Sequence, residues 1–280
     1  MTTQLVNLPE VERLSSTCIR VLGGNPGKFA LQGTNTYLLG TGPQRLLIDT
    51  GEGKPSWIAA LKRTLEAERA AIASAIITHW HHDHQGGIEQ LRQVWPGTKI
   101  YKSQIRPEPD QLDIADGQRF EVEGASLMAV HTPGHTVDHM VFLLAEEDAM
   151  FTGDNVLGQG TAVFEDLAIY LGSLERMKPL FKGRAYPGHG PVISDGPGKI
   201  TEYIRHRRQR EEQVIQTLRV KNGDSGLTPM ELVRVIYREV PEALYPAAAG
   251  GVVQILYKLQ EEGKVSSHGD KWRLSDRPAL

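Results

Sequence analysis

Among 280 residues there is a single cysteine, Cys18. A disulfide framework within the chain is therefore impossible, and a cysteine-rich zinc module is excluded with it. Long apolar runs are lacking as well: no stretch approaches the roughly 18 consecutive apolar residues that a membrane-spanning helix needs. Nor is there an excess of one charge. The 31 Lys and Arg against 34 Asp and Glu leave a formal charge of −3. The chain as a whole then exerts no pull on nucleic acid or anionic lipid, and any such binding must come from a local patch. Residues Met1 to Glu10 show no basic segment leading into an apolar run. Neither a secretory signal nor an Arg-rich transit peptide is expected, and the expectation is a cytoplasmic protein with no membrane partner.

What is present is an alternation of strand-like and helix-like segments. Thr36–Leu39 ends at Gly40, and Arg45–Asp49 ends at Thr50-Gly51. Ile58, Leu61 and Leu65 recur at spacings of three and four, which predicts a helix over Trp57–Glu66. Ala75–Thr78 reads as a buried strand stopping at His79, and Gly86-Gly87 opens a helix that carries Ile88, Leu91 and Val94 on one face. Ser126–Val130, Met140–Leu144 and Ala149–Phe151 read as further strands, and Leu167–Met177 as a helix. Strands and helices mixed in this way predict two sheets, or one large sheet, covered by helices.

Near residue 200 the pattern changes. Lys199–Val220 reads as one long polar helix, followed by a break at Asn222-Gly223-Asp224-Ser225-Gly226. Thr228, Pro229 and Glu231 then supply a cap, a first-turn proline and an acidic third position, the chemistry of a helix start. A second helix is expected over Val252–Glu262, and Lys264–Leu274 has the shape of a hairpin. Helix, helix and hairpin together resemble a winged-helix module. The chain is thus divided into a catalytic part, residues 1–200, and a C-terminal module, 201–280, whose removal after Asp195 is expected to spare the site.

The segment His79-Trp80-His81-His82-Asp83-His84 packs four potential metal ligands into six residues. Alternate positions of an extended segment point the same way, so His79 and His81 can grip one metal while Asp83 and His84 turn toward a second. Imidazole nitrogen and carboxylate oxygen suit Zn²⁺, and Mn²⁺ or Fe is tolerable. His82 is expected to face outward, His131 and His139 to be structural, with His139 placed to support a ligand, and His206 and His268 to be ordinary surface residues.

This hexapeptide resembles the His-x-His-x-Asp-His signature of the metallo-β-lactamase superfamily. Four further segments match that family in order: Asp49 closing a strand, His135 in Thr132–Thr136, Asp154 in Thr152-Gly153-Asp154, and His189 in Tyr186–Gly190. The resemblance covers about residues 12 to 200. It implies an α/β (α+β) fold, an αββα sandwich, and two metal ions, most simply two Zn²⁺ per chain. His79, His81 and His135 would hold one ion and Asp83, His84 and His189 the other, with Asp154 between them. Asp83 and Asp154 would act with a metal-bridging hydroxide, and Asp49 would brace the metal loop by hydrogen bonding.

Two closer resemblances concern the substrate. Gly23–Gly27 and Leu31–Leu38 are similar to the lactamase-beta-like 2 subgroup, which includes endoribonucleases acting on single-stranded RNA. They are also similar to the fungal thioesterases that release polyketides from the acyl carrier protein of non-reducing polyketide synthases. Gly51–Trp57, Gly153–Gly158 and Gly160–Leu167 resemble the thioesterases more. A third possibility implied by the shared metal motifs is a glutathione thioester hydrolase of the glyoxalase II type. Seven basic and seven acidic residues fall between Ser225 and Leu280, whereas a nucleic-acid-binding wing is clearly basic. That balance favours a wall over the site and an acyl carrier protein as partner. Arg205, Arg207, Arg208 and Arg210 form the one basic cluster, able to contact such a carrier or RNA phosphates.

Overall fold

The computed structural model describes residues 5–105, 109–220 and 226–275. Residues 222–225 of the expected break, and the first four residues of the chain, lie outside the described residues. The first sheet has six strands in sequence order: β1 (Val11–Arg13), β2 (Cys18–Leu22), β3 (Asn35–Leu39), β4 (Gln44–Ile48), β5 (Ala71–Ile76) and β6 (Lys99–Tyr101). β1 to β4 form an antiparallel meander. β4, β5 and β6 run parallel, which requires crossovers. The first is α1 (Pro55–Glu68); the second contains the short α2 (His82–Gln85) and α3 (Ile88–Val94).

The second sheet contains β7 (Arg119–Val122), β8 (Ala125–His131), β9 (Met140–Leu144), β10 (Ala149–Gly153) and β11 (Ala185–Pro187), in the spatial order β11-β10-β9-β8-β7. Only β10 and β11 are parallel, and α4 (Leu167–Met177) lies between them in the chain.

Successive strand residues bury to opposite sides, which defines the layers. Tyr37 and Leu39 face the space between the sheets, where Leu46, Ile48, Phe142 and Phe151 join them. Leu38 and Leu47 face the other way, against Trp57, Leu61 and Leu65 of α1. In the second sheet Met140 and Phe142 point to the inter-sheet core, while Val141 points outward against the helices that follow. The fold is an αββα sandwich.

The C-terminal helices complete the outer layer. α5 (Gly196–Val220) runs through residue 200 without a break, followed by α6 (Pro229–Ile236), α7 (Tyr245–Glu261) and the hairpin of β12 (Val265–His268) and β13 (Lys271–Leu274). At the start of α6 the Glu231 N–H donates to Thr228 Oγ1 at 3.2 Å and the Thr228 N–H donates back to Glu231 Oε2 at 2.8 Å, a reciprocal cap. α7 begins at Tyr245, earlier than the expected Val252. Its first turns, Tyr245 to Gly251, carry alanine and glycine rather than periodic large apolar residues, so a search for that period misses them. One hydrophobic cluster joins Val141 and Met150 to Leu174 of α4, Ile200 and Val214 of α5, Leu256 of α7 and Trp272 of the hairpin. Removing the chain after Asp195 would strip this cluster, so a truncation expected to spare the site, and to abolish only turnover of a carrier-bound substrate, becomes a destabilising one. Among the described residues no helix is long and apolar enough to cross a membrane.

Candidate metal centre

Eight histidines and aspartates, seven candidate ligands and Asp49, converge at one edge of the sandwich, each from a segment just beyond a strand. Asp49 follows β4, the His79–His84 segment follows β5, Asp154 follows β10 and His189 follows β11, while His135 lies in the β8–β9 connection. Placing side chains at strand ends gives them a rigid base and an open side. Glycine is needed at Gly188, where an added Cβ would lie 2.3 Å from Asp154 Oδ1 and 2.9 Å from the His84 ring. Gly134 is required for a similar reason: with φ +130, its Cβ would meet the Tyr170 backbone at 2.4 Å.

His81 Nδ1 faces His79 Nε2 at 2.9 Å and His135 Nε2 at 3.0 Å. His84 Nε2 and His189 Nε2 face each other at 3.3 Å, and His189 Nε2 lies 3.2 Å from Asp83 Oδ2. Asp154 spans both groups, with Oδ2 3.3 Å from His189 and 3.7 Å from His135, and Oδ1 3.4 Å from His84. His79, His81, His135 and Asp154 form one set whose ligand atoms lie within 4.8 Å of one another, and Asp83, His84 and His189 form another.

The outward nitrogens fix which atoms face inward. His135 Nδ1 bonds the Val163 carbonyl at 2.8 Å, and His189 Nδ1 bonds the Gly33 carbonyl at 3.4 Å. A carbonyl only accepts, so both Nδ1 atoms carry the proton and both Nε2 atoms present lone pairs to the centre. His84 Nδ1 donates to Asp49 Oδ2 at 2.7 Å with the same result. Asp49 also accepts from the Thr78 N–H at 2.8 Å and the Thr78 hydroxyl at 2.9 Å, and Thr78 Oγ1 lies 2.9 Å from His79 Nδ1. Lone pairs converging at about 3 Å repel unless a proton or cation stands among them, and buried Asp154 Oδ1 has no hydrogen-bond partner. The donor set fits a divalent ion of borderline softness.

The titration behaviour divides the site. Burial pushes the His79 ring well down, and pushes His81 down to about 4, with His135 and His84 adding to the effect. Burial also opposes charge on His84, but Asp154, Asp49 and Asp83 outweigh it and hold that ring well above the ordinary histidine range. His189 is raised to about 9 against burial, chiefly by Asp154. Asp83 and Asp154 are held low despite burial by the charges of His84 and His189. His79 and His81 resist protonation, whereas His84 and His189 favour it.

A pH dependence follows for protein stripped of metal. A group raised from 6.5 to about 9, as His189 is, adds stability that is full below 6.5 and disappears as pH climbs through 9. The chelator-treated protein should therefore lose melting temperature between pH 6.5 and 9. Protein reloaded with zinc should not, because the ion replaces the proton. Parallel melts at the two pH values check this, and equal slopes would contradict it.

Residues not singled out by sequence also build the site. Asn35 Nδ2 donates to Pro187 O at 2.9 Å and Gly190 O at 2.8 Å, and Tyr37 donates to Pro187 O at 2.6 Å, together holding the His189 turn. Thr34 Oγ1 donates to Asp83 Oδ2 at 3.3 Å. Both Asn35 and Thr34 lie in the Leu31–Leu38 run and are buried, as is Thr36; three successive polar residues leading into an apolar strand are a signal that could have flagged them. His139 is fully buried and its Nε2 accepts from the Asp154 N–H at 3.1 Å. His131 instead bonds the Val137 carbonyl, and His82 is exposed.

The four arginines are not one surface. Arg207 donates to Ala162 O at 2.6 Å and lies over the Phe164 ring, while Arg210 donates to Gln213 and lies over Tyr237. Arg205 and Arg208 are exposed and line a groove with Lys178, where Arg208 pairs with Glu175 at 2.7 Å.

Residues 30–189 match the model of the Metallo-beta-lactamase superfamily, and residues 228–272 match that of the Beta-lactamase associated winged helix domain. The chain belongs to the metallo-β-lactamase superfamily, a class of hydrolases, and carries its winged-helix extension. It is 47% identical over 278 residues to the Lactamase-like protein adaB of Aspergillus niger, covering 95% of this chain and 87% of that one. It is 48% identical over 271 residues to the atrochrysone carboxyl ACP thioesterase of Aspergillus chevalieri, covering 94% of this chain and 87% of that one. A beta-lactamase domain protein from Burkholderia ambifaria, 16% identical, superposes with a TM-score of 0.81 over 96% of this chain and 95% of that one. That likeness is one of fold.

Proposed function

We propose that the chain is a dinuclear zinc thioesterase that releases a polyketide acyl group from an acyl carrier protein. The observation that carries it is the meeting of two ligand sets at Asp154, three histidines on one side and Asp83, His84 and His189 on the other. The carrier-bound thioester is supported by the similarity to the Aspergillus chevalieri thioesterase. Ions held there would lower the pKa of a bound water from about 15.7 toward roughly 7 and polarise an acyl oxygen. The chain's residues do the rest. Asp83 and Asp154 remain ionised, as ligands must. The Val163 and Gly33 carbonyls fix the rings of His135 and His189. A thiolate leaves without a strong acid to protonate it, so no further proton donor is required. Arg205 and Arg208, the two arginines left exposed, are assigned to the acidic carrier.

The test is a side-by-side assay of purified protein on an acyl-carrier-protein thioester, an acyl glutathione and labelled single-stranded RNA, with metal analysis. Turnover of the carrier thioester with close to two zinc per chain is expected. Metal-dependent cleavage of RNA or of acyl glutathione alone, or full activity with one ion, would overturn the reading.

Asp49 is assigned the task of orienting His84 and Thr78 rather than binding metal. Asp49→Asn should lower metal affinity or activity by roughly 10–100-fold, the usual effect of losing a partner of a ligand. Chelator competition on the variant checks this, and wild-type values in both measurements would refute the role.

A further inference from the structure

The C-terminal helix α5 reaches into the metal centre through a loop rather than by a ligand. Tyr203 and Arg207 stand one helical turn apart on α5. Tyr203 donates its hydroxyl hydrogen to Gly160 O at 2.9 Å, and Arg207 donates to Ala162 O at 2.6 Å. The next carbonyl, that of Val163, is the one that accepts from His135 Nδ1 at 2.8 Å. The loop from Leu157 to Asp166 has no regular secondary structure of its own, so its carbonyls are aimed by what binds them. Arg207 also lies over Phe164 at 4.7 Å, and Phe164 stacks on Tyr170 at 5.3 Å with the ring planes 16° apart. The guanidinium thus lies within reach of both rings of an aromatic pair, 4.7 Å from Phe164 and 5.9 Å from Tyr170, while donating to a carbonyl, a combination that a planar fork meets better than a lysine ammonium.

We infer that Arg207, assisted by Tyr203, is a positioning residue for the ion bound by His79, His81 and His135. By fixing the Ala162 and Gly160 carbonyls it sets the Val163 carbonyl, which holds the His135 ring with Nε2 turned inward. This inference rests on the dinuclear reading given above. It assigns the effect to one of the two ions. The side chains of Asp83, His84 and His189 are oriented by Thr34, Asp49 and Gly33; the loop meets that set at the His189 backbone, whose carbonyl accepts from the Gly158 N–H at 2.9 Å, rather than at its ring.

The experiment is zinc competition against a chromophoric chelator, using the full chain. Arg207→Met should weaken one of the two zinc equivalents by about 10–100-fold, the scale for a group that orients a ligand, and leave the other at wild-type affinity. Tyr203→Phe should shift the same equivalent less, and Arg207→Lys should fall between wild type and Arg207→Met. In a His135→Ala background, where the oriented ring is gone, Arg207→Met should have no further effect, because a double-mutant cycle isolates coupled pairs. Equal weakening of both equivalents with a lowered melting temperature would make Arg207 a general scaffold residue and overturn the inference. So would unchanged affinities, or additive losses in the double variant. A wild-type protein that binds fewer than two ions would instead remove the dinuclear reading beneath it.

Discussion

Asp154→Asn is expected to reduce kcat/KM by at least about 10²–10³, the scale for losing one preorganised electrostatic contact, and to deplete bound metal. Asparagine keeps the shape of the side chain and removes only its charge. Among the described residues Asp154 is the carboxylate whose oxygens face both ligand sets, with His84 and His189 on one side and His135 on the other. It is also the leading cause of the raised basicity of both His84 and His189. Without that charge the buried site holds less positive charge of any kind, proton or metal ion. Steady-state kinetics with metal analysis of the same preparation checks the prediction. A variant within tenfold of wild type, carrying its full metal, would remove Asp154 from the centre of the argument.

Lys102→Met should destabilise the protein by about 3–5 kcal/mol, the cost of leaving a buried charge without its partner. Lys102 Nζ lies 3.0 Å from Asp138 Oδ2, and both side chains are fully buried. Asp138 is also held by the Thr136 hydroxyl at 2.8 Å, inside the segment that carries His135 and His139. Against a typical total of about 5–15 kcal/mol, such a loss is plain in urea unfolding. The paired change Lys102→Met with Asp138→Leu should recover much of it, since a buried pair replaced by apolar residues is often neutral. A single-variant loss below about 1 kcal/mol would mean that Asp138 finds compensation elsewhere.

The cluster of histidines and aspartates that could hold metal is legible in the sequence because its members are crowded together and stand where strands stop. His79 to His84 is a dense cluster, and His135, Asp154 and His189 each sit beside a glycine that permits close approach. The supporting contacts were not legible, because several are backbone carbonyls. Nothing in the residue Val163 announces that its carbonyl will hold a histidine 28 positions away. The pairing of Lys102 with Asp138 is equally silent, since it depends on how the two sheets are set together. The arginine cluster carries its own periodic signal. At 100° per residue, Arg205 and Arg208 share one side of a helix and Arg207 and Arg210 another, and the structure separates them in that way.

The apolar cluster that binds α4, α5, α7 and the hairpin to the second sheet has a bearing on biosynthesis. A ribosome emits the chain from its N-terminus, so β8, β9 and β10 emerge well before residues 196–275. Until those residues arrive, Val141 and Met150 face water or other chains instead of the helices that cover them. Exposed apolar strand surface of this kind favours aggregation in partly made proteins. The nascent sandwich is therefore expected to engage chaperones until the C-terminal helices are made, and stop codons late in the gene are expected to yield insoluble chains although every residue of the candidate metal site is present.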